Sequence, residues 1–312
     1  MKRIVTYFFT MLIVIISLAG CTRVNEDDAN SLNIVASFYP MYIATSNIID
    51  GAANVTLKSL ANPDVGCLHD YQLTVNDMIT LEKADVFVIN GGGMESFLDK
   101  AISNYPELKI INAFIDEDEH ESGDEDATEK LEHDEEHTHN HDHDVNAHIW
   151  VSISLYIEQI EKICEQLKSI NPENAGIYEK NAKVYIEKLE TLKKEMHSKL
   201  DNLEKRNIIT FHEAFYYFAK EFNLNVVDVI EREPGTSPSA GELVDIIKRV
   251  ESEDVNAIFV EPQYLKTAAN TIASETGVKV FELDPVVSGT FEKNAYEEKM
   301  RKNLEVLMEA LK

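Results

Sequence analysis

Eight side chains in the middle of the chain, Tyr178, Ala182, Tyr185, Leu189, Leu192, Met196, Leu200 and Leu203, recur at steps of three and four residues. That spacing puts them on one face of an α-helix. Asn171-Pro172 supplies a start signal, a capping side chain followed by proline at the first helical position. The predicted helix runs for roughly 30 residues, on the order of 45 Å at the usual rise per residue. A helix this long is either a brace along two lobes or a coiled-coil segment that dimerises; the stripe covers barely four heptads, and the brace is the reading adopted.

The two flanks of this helix read alike. Leu32–Phe38, Val86–Asn90 and Leu108–Asn112 before it are short apolar runs rich in β-branched residues. Asn207–Phe211, Asn225–Ile230, Asn256–Val260 and Val278–Leu283 after it are of the same kind. Helical patterns such as Val75–Ala84 and Ala240–Ser252 separate them. Strand–helix alternation implies parallel sheets covered on both faces. The expected fold is α/β: two lobes with parallel sheets joined by one long rigid helix, with a metal cleft between the lobes. The expected organisation is a signal peptide at 1–20, a lipidated tether at 21–31, an N-terminal α/β lobe at 32–153, a helical region at 154–205 and a C-terminal α/β lobe at 206–312.

The N-terminus is set aside as a targeting segment. Lys2 and Arg3 precede the mostly apolar stretch Ile4–Leu18, which is short for a membrane span. It ends in Leu18-Ala19-Gly20-Cys21, which is similar to a bacterial lipobox, so Cys21 is the expected lipidation site and the chain is placed outside the cytoplasm, tethered to a membrane. A Gram-positive surface and a periplasm both fit. Apart from Cys21 the chain has only Cys67 and Cys164, too few for a disulfide framework.

The formal charge is −27. The stretch 116–144 holds about half of it, with 15 acidic residues against a single lysine, and carries His120, His133, His137, His139, His141 and His143. It has almost nothing apolar to bury and reads as a solvated loop. Imidazole is a ligand for zinc, copper and nickel, so these six histidines are candidate auxiliary metal ligands. The acidic balance argues against nucleic acid or anionic lipid as partners and suits a cation.

Four further residues are candidate ligands. His69 lies in Cys67-Leu68-His69-Asp70-Tyr71 and His148 in Ala147-His148-Ile149-Trp150. His212 and Asp284 each follow a predicted strand, in Phe211-His212-Glu213-Ala214-Phe215-Tyr216 and Leu283-Asp284-Pro285. Ligand crevices in open parallel sheets form beyond the carboxyl ends of the strands. Glu213 and Glu261 are candidate acceptors that fix a histidine tautomer, and Glu261 is also an alternative to Asp284 as the oxygen ligand. Cys67 is read as a small side chain in a turn, with zinc ligation as the alternative, and His197 as a surface or packing residue. Two resemblances to motifs are rejected. His212-Glu213-Ala214-Phe215-Tyr216 lacks the second histidine of a zinc-protease helix, and Asn90-Gly91-Gly92-Gly93 lacks the Lys-Ser/Thr of a phosphate loop.

In order and context, these runs together with Ile258-Phe259-Val260-Glu261-Pro262-Gln263 resemble the metal-specific solute-binding lipoproteins of ABC importers, the zinc and manganese cluster. The resemblance covers nearly the whole mature chain. It implies two lobes joined by a long helix, an ion held between them by His69, His148, His212 and Asp284, and a monomer that passes zinc to an ABC permease in the cytoplasmic membrane. The acidic histidine tract is similar to that of the zinc-specific branch. The chain departs from the family pattern at Leu68, at Asn146-Ala147 and at Val151-Ser152-Ile153. Three imidazoles and one carboxylate suit Zn2+; Mn2+, the runner-up, favours more oxygen. The competing readings are an extracytoplasmic zinc hydrolase with Glu213 or Glu261 as base, and a surface adhesin or metal buffer that works through the acidic tract.

Lipidation at Cys21 has a direct test. Cys21→Ala should leave an unprocessed precursor or release the protein into the medium, read by fractionation and mass spectrometry. An unmodified mature terminus elsewhere in the wild type contradicts it.

Overall fold

The computed structural model describes residues 31–68, 71–116, 145–231 and 236–312. The expected signal peptide, the lipidation site Cys21, His69 and the six loop histidines lie outside the described residues.

Each half of the chain builds one four-stranded parallel sheet. The first contains β1 (Leu32–Ala36), β2 (Val55–Ser59), β3 (Val86–Ile89) and β4 (Lys109–Asn112), with α1 (Tyr39–Ile48), α2 (Val75–Glu82) and the short α3 (Asp99–Ile102) between them. Next come α4 (Ile153–Ile170) and α5 (Ala175–Leu200). The second sheet contains β5 (Asn207–Thr210), β6 (Asn225–Val229), β7 (Ala257–Val260) and β8 (Lys279–Glu282), interleaved with α6 (Tyr216–Glu221), α7 (Ala240–Ser252) and α8 (Thr267–Thr276) and closed by α9 (Ala295–Ala310). The strand orders are β2-β1-β3-β4 and β6-β5-β7-β8, so the two halves repeat one topology.

β2 is absent from the expected strands. It is an edge strand whose burial alternates residue by residue, and Thr56 and Lys58 face solvent, so it never forms an apolar run. The central strands β3 and β7 are the apolar ones, because a parallel sheet covered by helices buries both faces.

The long helix begins three residues later than its start signal predicts. Pro172–Asn174 is a turn of 3-10 helix, and α5 proper has 26 residues, about 39 Å. The Asn171 side chain does not cap it; its Oδ1 instead accepts hydrogen bonds from Asn174 Nδ2 at 2.7 Å and the Tyr178 hydroxyl at 2.7 Å. Tyr178, Ala182, Tyr185, Leu189, Leu192, Met196 and Leu200 are all buried, so the stripe is spent inside the molecule and not on a coiled-coil partner. It packs on α4, α1 and α9. The same continuous core contains Ile34, Val88 and Ile111 from the first sheet and Ile208, Phe259 and Leu283 from the second. Each sheet has a separate small cluster on its other face.

Polar ties cross between the halves as well. Trp150 Nε1 donates to the Pro285 carbonyl at 2.8 Å, and the Tyr296 hydroxyl to the Trp150 carbonyl at 2.9 Å. Glu221, at the end of α6, accepts from the Ile153 and Ser154 amides at the start of α4.

The glycine turn after β3 is a plain turn, and its contacts explain its sequence. Gly91 has φ +81°, and a Cβ there would lie 2.1 Å from Asn112 Oδ1, so no side chain fits. The turn amides of Asn90 and Gly91 donate to the buried carboxylate of Glu95, as does the Ser37 hydroxyl. Asn90 Nδ2 then donates to the Ala147 carbonyl at 2.8 Å, and Gln159 Nε2 to Asn90 Oδ1 at 3.0 Å. A carboxylate where a phosphate loop would hold phosphate thus fixes the residue before His148.

Burial pushes the Glu95 carboxyl from 4.5 up to about 7, against the hydrogen bonds from Ser37, Asn90 and Gly91, which favour the charged form. A carboxyl with a raised folded-state pKa contributes its full stability below the unfolded value and loses it as pH rises through the folded value. Relative to Glu95→Gln, the wild type should therefore lose on the order of 3 kcal/mol between pH 4.5 and about 7. Urea melts of both proteins at fixed pH values measure this. A difference that does not change with pH contradicts it.

Candidate metal centre

A parallel sheet opens a crevice where neighbouring strands send their connections to opposite sides. In the second sheet that point lies between β5 and β7, which are adjacent although not consecutive. His212 stands two residues after β5, and Glu261 directly after β7. His212 Nδ1 lies 2.8 Å from Glu261 Oε1. The carboxylate can only accept, so Nδ1 carries the proton and Nε2 presents its lone pair. Glu261 is fully buried, and its second oxygen has no hydrogen-bond partner among the described residues. An incompletely paired buried carboxylate favours positive charge beside it.

His148 arrives from the other half, at the start of the 3-10 turn Ile149–Val151. Its backbone amide and its Nδ1 both lie 2.9 Å from Asn146 Oδ1. Asn146 Nδ2 donates to the Glu213 carbonyl at 3.0 Å, which orients the amide so that its oxygen faces His148. Here too Nδ1 is the donor, which makes Nε2 the lone-pair nitrogen. The Asn146-Ala147 departure from the family pattern therefore has a structural role. Trp150 packs at 5.2 Å from the His148 ring, and Tyr264 at 5.4 Å from His212. Both histidines are buried.

The two Nε2 atoms lie 3.3 Å apart. Cys67 Sγ lies 3.2 Å from His148 Nε2, and the three donor atoms fall within 4.8 Å of one another. Two lone pairs facing each other at this distance repel unless a cation lies between them. Burial lowers the affinity of His212 for a proton, but hydrogen bonds and charge from Cys67 and Glu261 outweigh it and raise the pKa from 6.5 to about 10.

The residues present fit a tetrahedral ion. Two metal–nitrogen bonds of about 2.0–2.1 Å at a tetrahedral angle separate their nitrogens by about 3.3–3.4 Å. The sulfur of a bond of about 2.3 Å would sit about 3.5–3.6 Å from either nitrogen, so Cys67 needs to retreat by only a few tenths of an ångström.

The other expected site residues fall elsewhere. Asp284 is not brought to the group: its Oδ1 accepts from the Val286 amide, and its Oδ2 pairs with Lys299. β7 lies between β5 and β8, so the residue after β8 stands about two strand spacings, roughly 10 Å, from the residue after β5. Glu213 is exposed, and its carbonyl, not its carboxylate, is engaged with Asn146. His197 faces Asp201 at 3.0 Å on the last turn of α5 and stacks near Phe222. Cys67, read from sequence as a turn residue, is instead the third member of the cluster. Its vicinity to His148 across 81 positions leaves no periodic signal; a soft ligand two residues before His69 was the only hint.

Comparison with known proteins identifies the family. The profile described as zinc-uptake complex component A, periplasmic, matches residues 34–310. The chain is 30% identical over 301 residues to the zinc-binding lipoprotein AdcA of Streptococcus pneumoniae R6, covering 93% of this chain and 58% of that protein. It thus spans little more than half the length of that relative. It is 30% identical over 292 residues to the high-affinity zinc uptake system protein ZnuA of Bacillus subtilis 168, covering 92% of this chain and 89% of the relative. Its fold is similar to the crystal structure of the Zn(II)-bound ZnuA-like domain of the pneumococcal AdcA, with a TM-score of 0.70, 27% identity, and coverage of 90% of this chain and 99% of that one. With its repeated four-stranded lobes, its bracing helix and a histidine from each half facing the other, the chain belongs to the ZnuA family, the periplasmic component A of zinc-uptake complexes.

Proposed function

We propose that this chain is an extracytoplasmic receptor that captures Zn2+ between its halves and delivers it to an ABC permease in the cytoplasmic membrane. One observation carries the reading: two buried imidazoles from opposite halves bring their Nε2 atoms within 3.3 Å of each other, each with its Nδ1 tied to an oxygen. Such outer oxygen partners fix the tautomer and strengthen the ligand. His69, which the family resemblance nominates, is the third imidazole of the proposal. The fourth place falls either to Asp284, which the family resemblance nominates and which must first leave Lys299, or to Cys67. A nitrogen-rich set favours Zn2+ over Mn2+. The lipid anchor at Cys21 and the monomeric state belong to the same proposal. The hydrolase reading gains no support, since Glu261 is committed to His212 and Glu213 is turned to solvent.

Trp150 is the chain's one tryptophan and packs against His148, so its fluorescence reports on the centre. Titration with Zn2+ should show one tight event that His212→Ala weakens by at least about 100-fold, beyond the 10–100-fold typical of losing an outer partner. Deleting residues 117–143 should remove further, weaker sites seen by calorimetry and leave the tight event in place. If the deletion abolishes tight binding and His212→Ala spares it, the acidic tract is the receptor and the centre described here is not.

Bound imidazoles must be unprotonated, with reference pKa values of about 6.5. Zn2+ affinity should therefore decline as pH drops below about 10, where His212 takes up its proton, and more steeply from about pH 7 towards pH 5, where imidazoles of ordinary pKa are protonated as well. Competition titrations giving a constant affinity over that range contradict a histidine-dominated site.

A further inference from the structure

The loop between β2 and α2 is anchored at several points. Leu60 and Ala61 donate their amides to the carbonyls of Ala36 and Ser37. The Gly289 amide donates to the Pro63 carbonyl from the other half, at 3.1 Å. Gly66 has φ +82°, and a Cβ there would lie 3.3 Å from Gln263 Cγ, so the backbone passes close under the second half at this point. Leu68 is buried in the core directly after Cys67. These constraints on both sides leave the Cys67 side chain directed at the imidazole pair, with Sγ 3.2 Å from His148 Nε2.

The chain's other described cysteine behaves differently. Cys164 is buried in the apolar core beside α5, away from the histidines, and burial pushes its thiol up to about 11. That environment suits an inert structural thiol. Cys67 is only half-buried and faces two nitrogen donors and, behind His212, a buried carboxylate.

We propose that Cys67 is a thiolate ligand of the ion held by His148 and His212, and that Asp284 keeps Lys299 as its partner and stays off the metal. The proposal rests on the receptor reading above. On binding, the Cys67 S–H bond breaks, its proton passes to water, and the sulfur lone pair forms the metal–sulfur bond. No oxidant or reductant is needed. A soft thiolate raises the preference for Zn2+ over Mn2+, which a carboxylate in the same place would lower.

Cobalt is the probe, because Co2+ bound by thiolate shows a sulfur-to-metal charge-transfer band in the near ultraviolet. The full chain loaded with Co2+ should show that band together with tetrahedral visible bands. Cys67→Ser should abolish the charge-transfer band, weaken Zn2+ by about 100-fold or more, and change Mn2+ affinity little. Cys21→Ser, Cys164→Ser and Asp284→Asn should keep the band. As a measurement that needs no variant, Zn2+ should protect Cys67 of the wild type from alkylation, scored at its peptide by mass spectrometry. Tight Co2+ and Zn2+ binding with no charge-transfer band, a band lost with another cysteine, or equal alkylation with and without Zn2+ overturns the Cys67 assignment while leaving the receptor reading intact. Failure of the wild type to bind either ion tightly overturns the receptor reading itself.

Discussion

Two imidazoles carried by different halves of a chain stay 3.3 Å apart only if those halves cannot drift, and the buried stripe of α5 imposes this. Its seven side chains sit in one apolar cluster with residues of both sheets, so the halves share a core and do not merely touch. Trp150 and Tyr296 tie the halves together within that core, and Trp150 also packs against His148. A site built this way is pre-formed. Binding then orders little of the protein, and most of the interaction energy appears as affinity.

Electrostatics favours positive charge at this point. Glu261 is buried with one oxygen that has no hydrogen-bond partner among the described residues, and the Nε2 atoms of His148 and His212 face each other. Hydrogen bonds and charge from Cys67 and Glu261 favour a proton on His212 and raise its pKa, which reflects the same preference for positive charge. A metal ion that displaces this proton answers the same needs with a higher charge. The fixed oxygens of Asn146 and Glu261 keep the two Nε2 atoms directed at it.

Much of this was legible in the sequence. The apolar runs marked every strand buried on both faces, and the 3–4 spacing marked α5, because burial leaves a periodic trace. Edge strand β2 left none, as half of it faces water. His148 and His212 were named from strand ends and from the family resemblance, and they meet. What the sequence could not carry was strand order. Asp284 and Glu261 both follow strands of the second sheet, and only the order β6-β5-β7-β8 decides that Glu261 neighbours His212. The place of Cys67 beside the imidazoles was hidden for a similar reason: its direction depends on Gly66 under Gln263 and on Leu68 in the core, contacts with no local pattern.

The central claim is that the ion sits between His148 and His212. Anomalous diffraction at the zinc edge from crystals grown with one equivalent of Zn2+ tests it most directly. The account predicts a single strong peak about 2.0–2.1 Å from both Nε2 atoms, with the Cys67 sulfur about 2.3 Å away. A strong peak at Asp284 or in the acidic tract 116–144, with none between the two imidazoles, would contradict it.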